Sequence, residues 1–185
     1  MRKLAKVVKL IEEYEENGKR LSEIDTQILL VEPVLCHAGY DIFNPYIVKR
    51  ASRSPQSQEF DIEVYKNGNL FLAIEVKSFN SSEFNIRKFN AGNRIGALSK
   101  QNQQYENSKE DGVGQLRAYC LNWNNNKISV NVIPILTNGK EWVLFNMRLF
   151  RKKPTCPINR EMIRDQAEVT DENFYEKIIK KIKNT

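Results

Sequence analysis

Histidine is nearly absent: His37 is the single one in the chain. A lone imidazole cannot build a His/Cys metal site, and histidine-based acid/base pairs and nucleophile triads are left with only this one residue. Cysteine is also scarce. Cys36, Cys120 and Cys156 lie far apart and show no metal-ligand spacing, so they read as reduced thiols, two of them in the core. No apolar run approaches the roughly 20 residues of a membrane span. The first twenty residues, "MRKLAKVVKLIEEYEENGKR", carry four glutamates and no apolar signal-peptide centre, which points to an intracellular, cytoplasmic protein.

What is present is a 185-residue chain, enough for one domain with a core and too little for two full-sized ones. Its net charge of +6 favours an anionic partner. The excess is uneven: residues 148–185 hold 10 Lys and Arg against 6 Asp and Glu, whereas residues 1–50 balance at 8 against 8.

Apolar positions Leu4, Val7, Val8, Leu10, Ile11 and Tyr14 have helical spacing, stopped by "NGK" at 17–19. A second helix is predicted from Ser22 or Asp25 to Gly39, with Ile28, Leu29, Val31, Leu35 and Cys36 inward and Pro33 perturbing it near Glu32. "YDIFNPYIVKRAS" reads as extended, "SRSPQSQ" as a polar loop. "EFDIEVYKNGNLFLAIEVKSF" (59–79) reads as a β-hairpin. Residues 80–112 read as a long polar loop with partial helix. A helix is predicted from Val113, strands in "KISVNVIPILTNG" and "KEWVLFNM", and a terminal helix in "NFYEKIIKKIK". The order predicts an α/β domain with helices around a mixed sheet.

Leu70 to Val76 is almost unbroken in apolar residues, yet Glu75 is set into it and Lys77 follows. Strand alternation puts Leu72, Ile74 and Val76 on one face and Phe71, Ala73, Glu75 and Lys77 on the other. On the preceding strand Phe60, Ile62 and Val64 share a face, leaving Glu59, Asp61 and Glu63 opposite. With a three-residue loop, Asn67-Gly68-Asn69, Lys66 faces Leu70 and Asp61 faces Glu75. A two- or four-residue loop without a bulge separates the two carboxylates. Opposed carboxylates repel unless a cation lies between them. Lys77 neutralises one charge, and an all-oxygen site suits Mg²⁺ or Mn²⁺, which stabilise charge on a phosphoryl group. Phosphodiester hydrolysis is the chemistry such a set serves; a plain surface ion-pair ladder is the alternative.

"FD", 13 residues and "EVK" together resemble the PD-(D/E)xK nuclease signature, with Phe60 in the proline position. The chain is further similar to the N-terminal nuclease domain of type I restriction enzyme R subunits over about residues 24–147. The matching segments are Glu32 before "GYD" (39–41), "QLRAY" (115–119) as a QxxxY helix, and "ILTNGKEW" (135–142). The resemblance implies a restriction-endonuclease-like core with residues 148–185 as a basic, helical C-terminal extension. It implies that Asp61, Glu75 and the Val76 carbonyl bind Mg²⁺ or Mn²⁺, that Lys77 orients or activates water, and that Glu32 assists. Gln115 and Tyr119 fill the QxxxY positions near DNA or the active site. No G-x-x-x-x-G-K-[ST] phosphate loop is present, so the motor of those R subunits is missing.

The expected function is therefore a Mg²⁺-dependent DNA endonuclease in a restriction, defence or mobile-element setting, alone or with a separate motor or specificity subunit. Double-strand cutting at one site needs two active sites, which implies a homodimer or paired binding. The alternatives are a nuclease for RNA or branched DNA, an inactive nucleic-acid-binding module, and a protein-interaction domain.

Overall fold

The computed structural model describes residues 2–51, 60–80, 116–117, 119–120, 129–152 and 160–183. Helix α1 (Arg2–Glu16) buries Val7 and Ile11 and packs Leu4, Val8, Leu10 and Tyr14 at the edge of the same cluster. It ends in a Schellman turn: Gly18, at φ +61°, donates to the Glu15 carbonyl and Lys19 donates to that of Tyr14. Ser22 then caps the next helix, its hydroxyl oxygen accepting from the Asp25 N–H.

That helix runs as α2 (Glu23–Thr26), a π-turn (Gln27–Val31) and α3 (Glu32–His37). The widened turn, with the Glu32 N–H reaching the Gln27 carbonyl, lies directly before Pro33. Proline has no N–H and crowds the carbonyl four residues back, and an expanded turn relieves that conflict. The wide turn also offsets the apolar stripe. Leu30, Val31, Val34, Leu35 and Ala38 are buried, while Ile28 and Leu29, expected inside, are exposed along with Ile24. Gly39, at φ +96°, ends the helix as expected. Between Asp41 and Ile47 the chain is held by turns in which the Asp41 and Asn44 side chains accept from the Phe43 and Tyr46 N–H groups. Among the described residues of the expected extended segment, only Val48–Arg50 forms a strand.

Six strands, β1 (Val48–Arg50), β2 (Ile62–Lys66), β3 (Asn69–Val76), β4 (Ile133–Thr137), β5 (Glu141–Phe145) and β6 (Ile163–Glu168), form one sheet in sequence order. All neighbours are antiparallel except β3 and β4, so the sheet is mixed, as predicted. Leu72, Ile74 and Val76 join Ile62, Val64, Ile135 and Trp142 beneath α1, α3 and the C-terminal helix. Ala73, Leu136, Val143 and Phe145 face the other layer, with Leu116, Cys120, Phe150 and Met162. Phe60 belongs to this second layer, not with Ile62 and Val64 as expected, because β2 begins only after the bend at Asp61 and alternation does not extend back to it.

The hairpin loop has two residues rather than three. Asn67 (φ +52°) and Gly68 (φ +73°) form a tight turn closed by Lys66 and Asn69. Both central residues need positive φ, which Asn-Gly supplies with little strain. The odd residue enters later: Tyr65 pairs with Leu70 and Val64 with Leu72, leaving Phe71 as a β-bulge. Pairing then continues to Ile62 and Ile74, where the ladder ends, and the next residue, Asp61, reaches Val76 with its side chain.

The described residues beyond Met147, expected as a C-terminal extension, add to the sheet and the core. Helix α4 (Met147–Lys152) contributes Phe150, β6 completes the sheet, and Phe174, Ile178 and Ile179 of the C-terminal π-turn (Tyr175–Ile179, capped by Phe174) and Ile182 of α5 (Lys180–Ile182) are buried. The Tyr40 hydroxyl donates to the Ile182 carbonyl at 2.6 Å. Cys120 is buried, Cys36 half-buried and His37 ends α3. Cys156, the loop expected after β1 and nearly all of the 80–112 segment lie outside the described residues. Among the described residues no helix is long and apolar enough to cross a membrane.

The β4–β5 turn presses on the π-turn. A Cβ on Gly139, at φ +84°, would lie 2.5 Å from the Leu30 Cβ. Gly139→Ala is expected to destabilise the fold by about 1–3 kcal/mol or more, read as a lower denaturant midpoint, from overpacking and backbone strain together.

Candidate active site

Asp61, Glu75 and Lys77 meet where β3 ends. The Asp61 Oδ2 accepts from the Val76 N–H at 2.7 Å, so this carboxylate closes the open end of the hairpin ladder. The Asp61 carbonyl also accepts from the Ala51 N–H at 3.0 Å, tying β1 to the same point. Burial raises the Asp61 pKa; the Val76 N–H and Lys77 oppose the rise.

Glu75 is almost fully buried, at 1% exposure. Its Oε1 accepts from the Lys77 ammonium at 3.0 Å, and its Oε2 is buried with no hydrogen-bond partner among the described residues. Burial, with the Asp61 charge second, pushes its pKa up to about 8 against the pull of Lys77. An unpaired buried carboxylate oxygen is costly. A proton or a cation relieves it.

Lys77 is fixed by its strand, its N–H donating to the Thr137 carbonyl of β4 at 2.8 Å. Burial alone would lower its pKa, but Glu75, Glu23 and Asp61 together raise it, so the ammonium keeps its proton. Its second carboxylate partner is Glu23, at 3.4 Å. Glu23 opens α2 and is half exposed, and its charge acts on both Asp61 and Glu75. The sequence reading missed it: an acid just after Ser22 looks like an ordinary helix start.

Glu32, expected to assist here, is engaged elsewhere. Its buried carboxylate takes a two-point bond from Arg50, Nε to Oε1 at 2.6 Å and Nη2 to Oε2 at 3.0 Å, and a third from Gln27 Nε2 at 3.1 Å. Both of these partners line the same cleft as Asp61, and the helix carboxylate that bonds Lys77 is Glu23. Tyr119 packs edge-on against Phe60, the residue before Asp61, with ring centres 5.8 Å apart. Gln115 lies outside the described residues.

A cleft of roughly 770 Å³ opens beside these groups, lined by Glu23, Gln27, Arg50, Asp61, Val76 and Ser78 among others. Among the described residues no set of three or more His, Cys, Asp or Glu is assembled to hold a metal. Mg²⁺ needs fewer: it commonly takes one or two carboxylates, waters and phosphate oxygens. Asp61 and Glu75, whose Oε2 has no hydrogen-bond partner among the described residues, are two carboxylates of that kind. No protein-family model, curated protein or solved structure matches this chain.

The raised Glu75 pKa gives a stability signature. Its contribution is fully present below its ordinary value of 4.5 and is lost as pH rises through about 8, because the folded state favours the neutral form. Without divalent cations, thermal melts of wild type and Glu75→Gln are expected to nearly coincide at about pH 5. The wild type should fall below the variant by several degrees at about pH 9. A gap independent of pH would place the titration elsewhere.

Proposed function

We propose that this protein is a metal-dependent nuclease with a restriction-endonuclease-like core, cutting DNA phosphodiester bonds. The observation that carries the reading is the buried Glu75 Oε2, without a hydrogen-bond partner among the described residues, beside Lys77 and next to Asp61, which lines a cleft. The element order is compatible with it: a helix, three antiparallel strands, a crossover containing helical residues, and a parallel fourth strand.

Asp61 and Glu75 would hold Mg²⁺ or Mn²⁺, with the Val76 carbonyl at the same strand end as a third oxygen. A divalent cation supplies charge stabilisation at the phosphoryl group and a more acidic water. The residues do the rest. Lys77 is held protonated, so it acts as a donor that orients the attacking water or a phosphate oxygen, not as the base. Glu23, on its far side, sets the direction of the ammonium and lowers the net positive charge around it. The Val76 N–H fixes the Asp61 carboxylate, leaving its other oxygen for the cation. The overall +6 charge assists approach to an anionic backbone.

Asp61→Asn, Glu75→Gln and Lys77→Met should each lower Mg²⁺-dependent nicking of plasmid DNA by at least about a hundredfold while the circular-dichroism spectrum is kept. A well-folded wild type that cuts no duplex, single-stranded or branched substrate with Mg²⁺ or Mn²⁺ would remove the catalytic reading.

A further inference from the structure

Arg50 sits in the cleft with more hydrogen-bonding capacity than its protein partner uses. It ends β1, and the next residue, Ala51, is bonded to Asp61. Adjacent strands lie about 4.8 Å apart, so the guanidinium stem starts within a residue of the candidate metal ligand. Its Nε and Nη2 are committed to Glu32, a carboxylate that is itself 4% exposed and held by Gln27. A guanidinium has five N–H donors in a rigid fork, so about three remain unused among the described residues. The Arg50 side chain is 41% exposed and lines the cleft, whereas Lys77, the nearby ammonium, is buried and engaged by two carboxylates.

Three facts separate this arrangement from an ordinary ion pair joining a strand to a helix. The carboxylate is buried and the arginine is not, so the pair points outward. The bond is the two-point side-on type, which fixes the plane of the fork. Finally, the cleft also contains Glu23 and Asp61, and a nucleic-acid backbone entering it meets negative charge unless a cation with spare donors receives it.

Resting on the nuclease reading, the geometry points to Arg50 as a phosphate clamp of the cleft. In this assignment it grips a backbone phosphate next to the one at Asp61, and Glu32 and Gln27 are the positioning residues that hold its fork. Glu32 thereby acts through Arg50 and not on the metal. Arginine suits this role because a fork held on one edge offers its other edge to two phosphate oxygens, which a lysine cannot imitate.

The test is equilibrium binding of a fluorescein-labelled short duplex, and of the matching single strand, followed by anisotropy over a salt series with Ca²⁺ replacing Mg²⁺. Arg50→Gln should weaken binding roughly tenfold and reduce the slope of log K against log salt by about 1. Arg50→Lys should keep the slope and still lose affinity. Glu32→Gln is the decisive arm. Removing a negative charge strengthens anion binding if only the field matters, so a severalfold weakening is expected only from loss of positioning. Lys49→Gln serves as the control: Lys49 is on the opposite face of β1, 3.7 Å from Glu63. If a single variant fails to fold, the doubly neutral Glu32→Gln, Arg50→Gln protein leaves no buried charge unpaired and should show the same lost slope. Wild-type binding that persists unchanged in both Arg50→Gln and Glu32→Gln overturns the clamp and leaves the nuclease reading standing. A wild type that binds neither oligonucleotide at low salt overturns both.

Discussion

Between Val64 and Tyr65 of β2, the facing strand carries one residue more, Phe71. In a sheet, a shift of one residue moves every later side chain to the other face. Without the bulge, the tight Asn67-Gly68 turn would set Asp61 against the wrong face of β3, away from Glu75 and Lys77. With it, Ile62 meets Ile74 in the helix-covered layer, and Asp61, the next residue, bonds the Val76 N–H and acts by its charge on Glu75. The core and the candidate site thus depend on the same backbone offset. Apolar packing of Ile62, Val64, Leu72 and Ile74 fixes the register, and the register places the carboxylates.

The charges so placed are expensive to bury. Glu75 and Lys77 are largely withdrawn from water, and removing ions from water costs several kcal/mol each unless partners compensate. Compensation is partial. Lys77 is doubly engaged, by Glu75 and Glu23, and keeps its proton. Glu75 has one oxygen satisfied and one not, and its pKa rises to about 8. A sheet built for stability alone would place apolar residues there, as it does at the neighbouring Ala73, Ile74 and Leu136. The excess carboxylate capacity is what supports reading the strand end as a cation site. Arg50 and Glu32 contrast with it. There the buried acid is fully partnered, and the spare capacity is on the exposed, cationic side, toward the cleft.

The sequence carried much of this. Helical spacing located α1, Gly39 and Pro33 marked the end and the distortion of the next helix, and the parity argument named the face on which Asp61 had to fall. It left the means open between a three-residue loop and a bulge and did not locate the latter, since a bulge at Phe71 has no sharper signal than any other residue in an apolar strand. Ile28 and Leu29 were assigned inward because a regular 3.6-residue period was assumed, and the π-turn before Pro33 breaks that period. Strand β6, "IRDQAE", escaped because it is an edge strand with only Ala167 buried, so alternation is faint. Glu23 and Arg50 were invisible for another reason: a helix-start acid and a strand-end arginine acquire meaning only from neighbours distant in sequence.

Asp61 and Glu75 are proposed to take one divalent cation between them, and direct Mn²⁺ binding measures this without any assumption about substrate. Titration of Mn²⁺ followed by electron paramagnetic resonance, with and without a short duplex, should find one tight site in the wild type. That site should be lost in both Asp61→Asn and Glu75→Gln and kept in Arg50→Gln. Absence of any bound Mn²⁺ in the wild type under both conditions, or a site that survives both carboxylate substitutions, would contradict it.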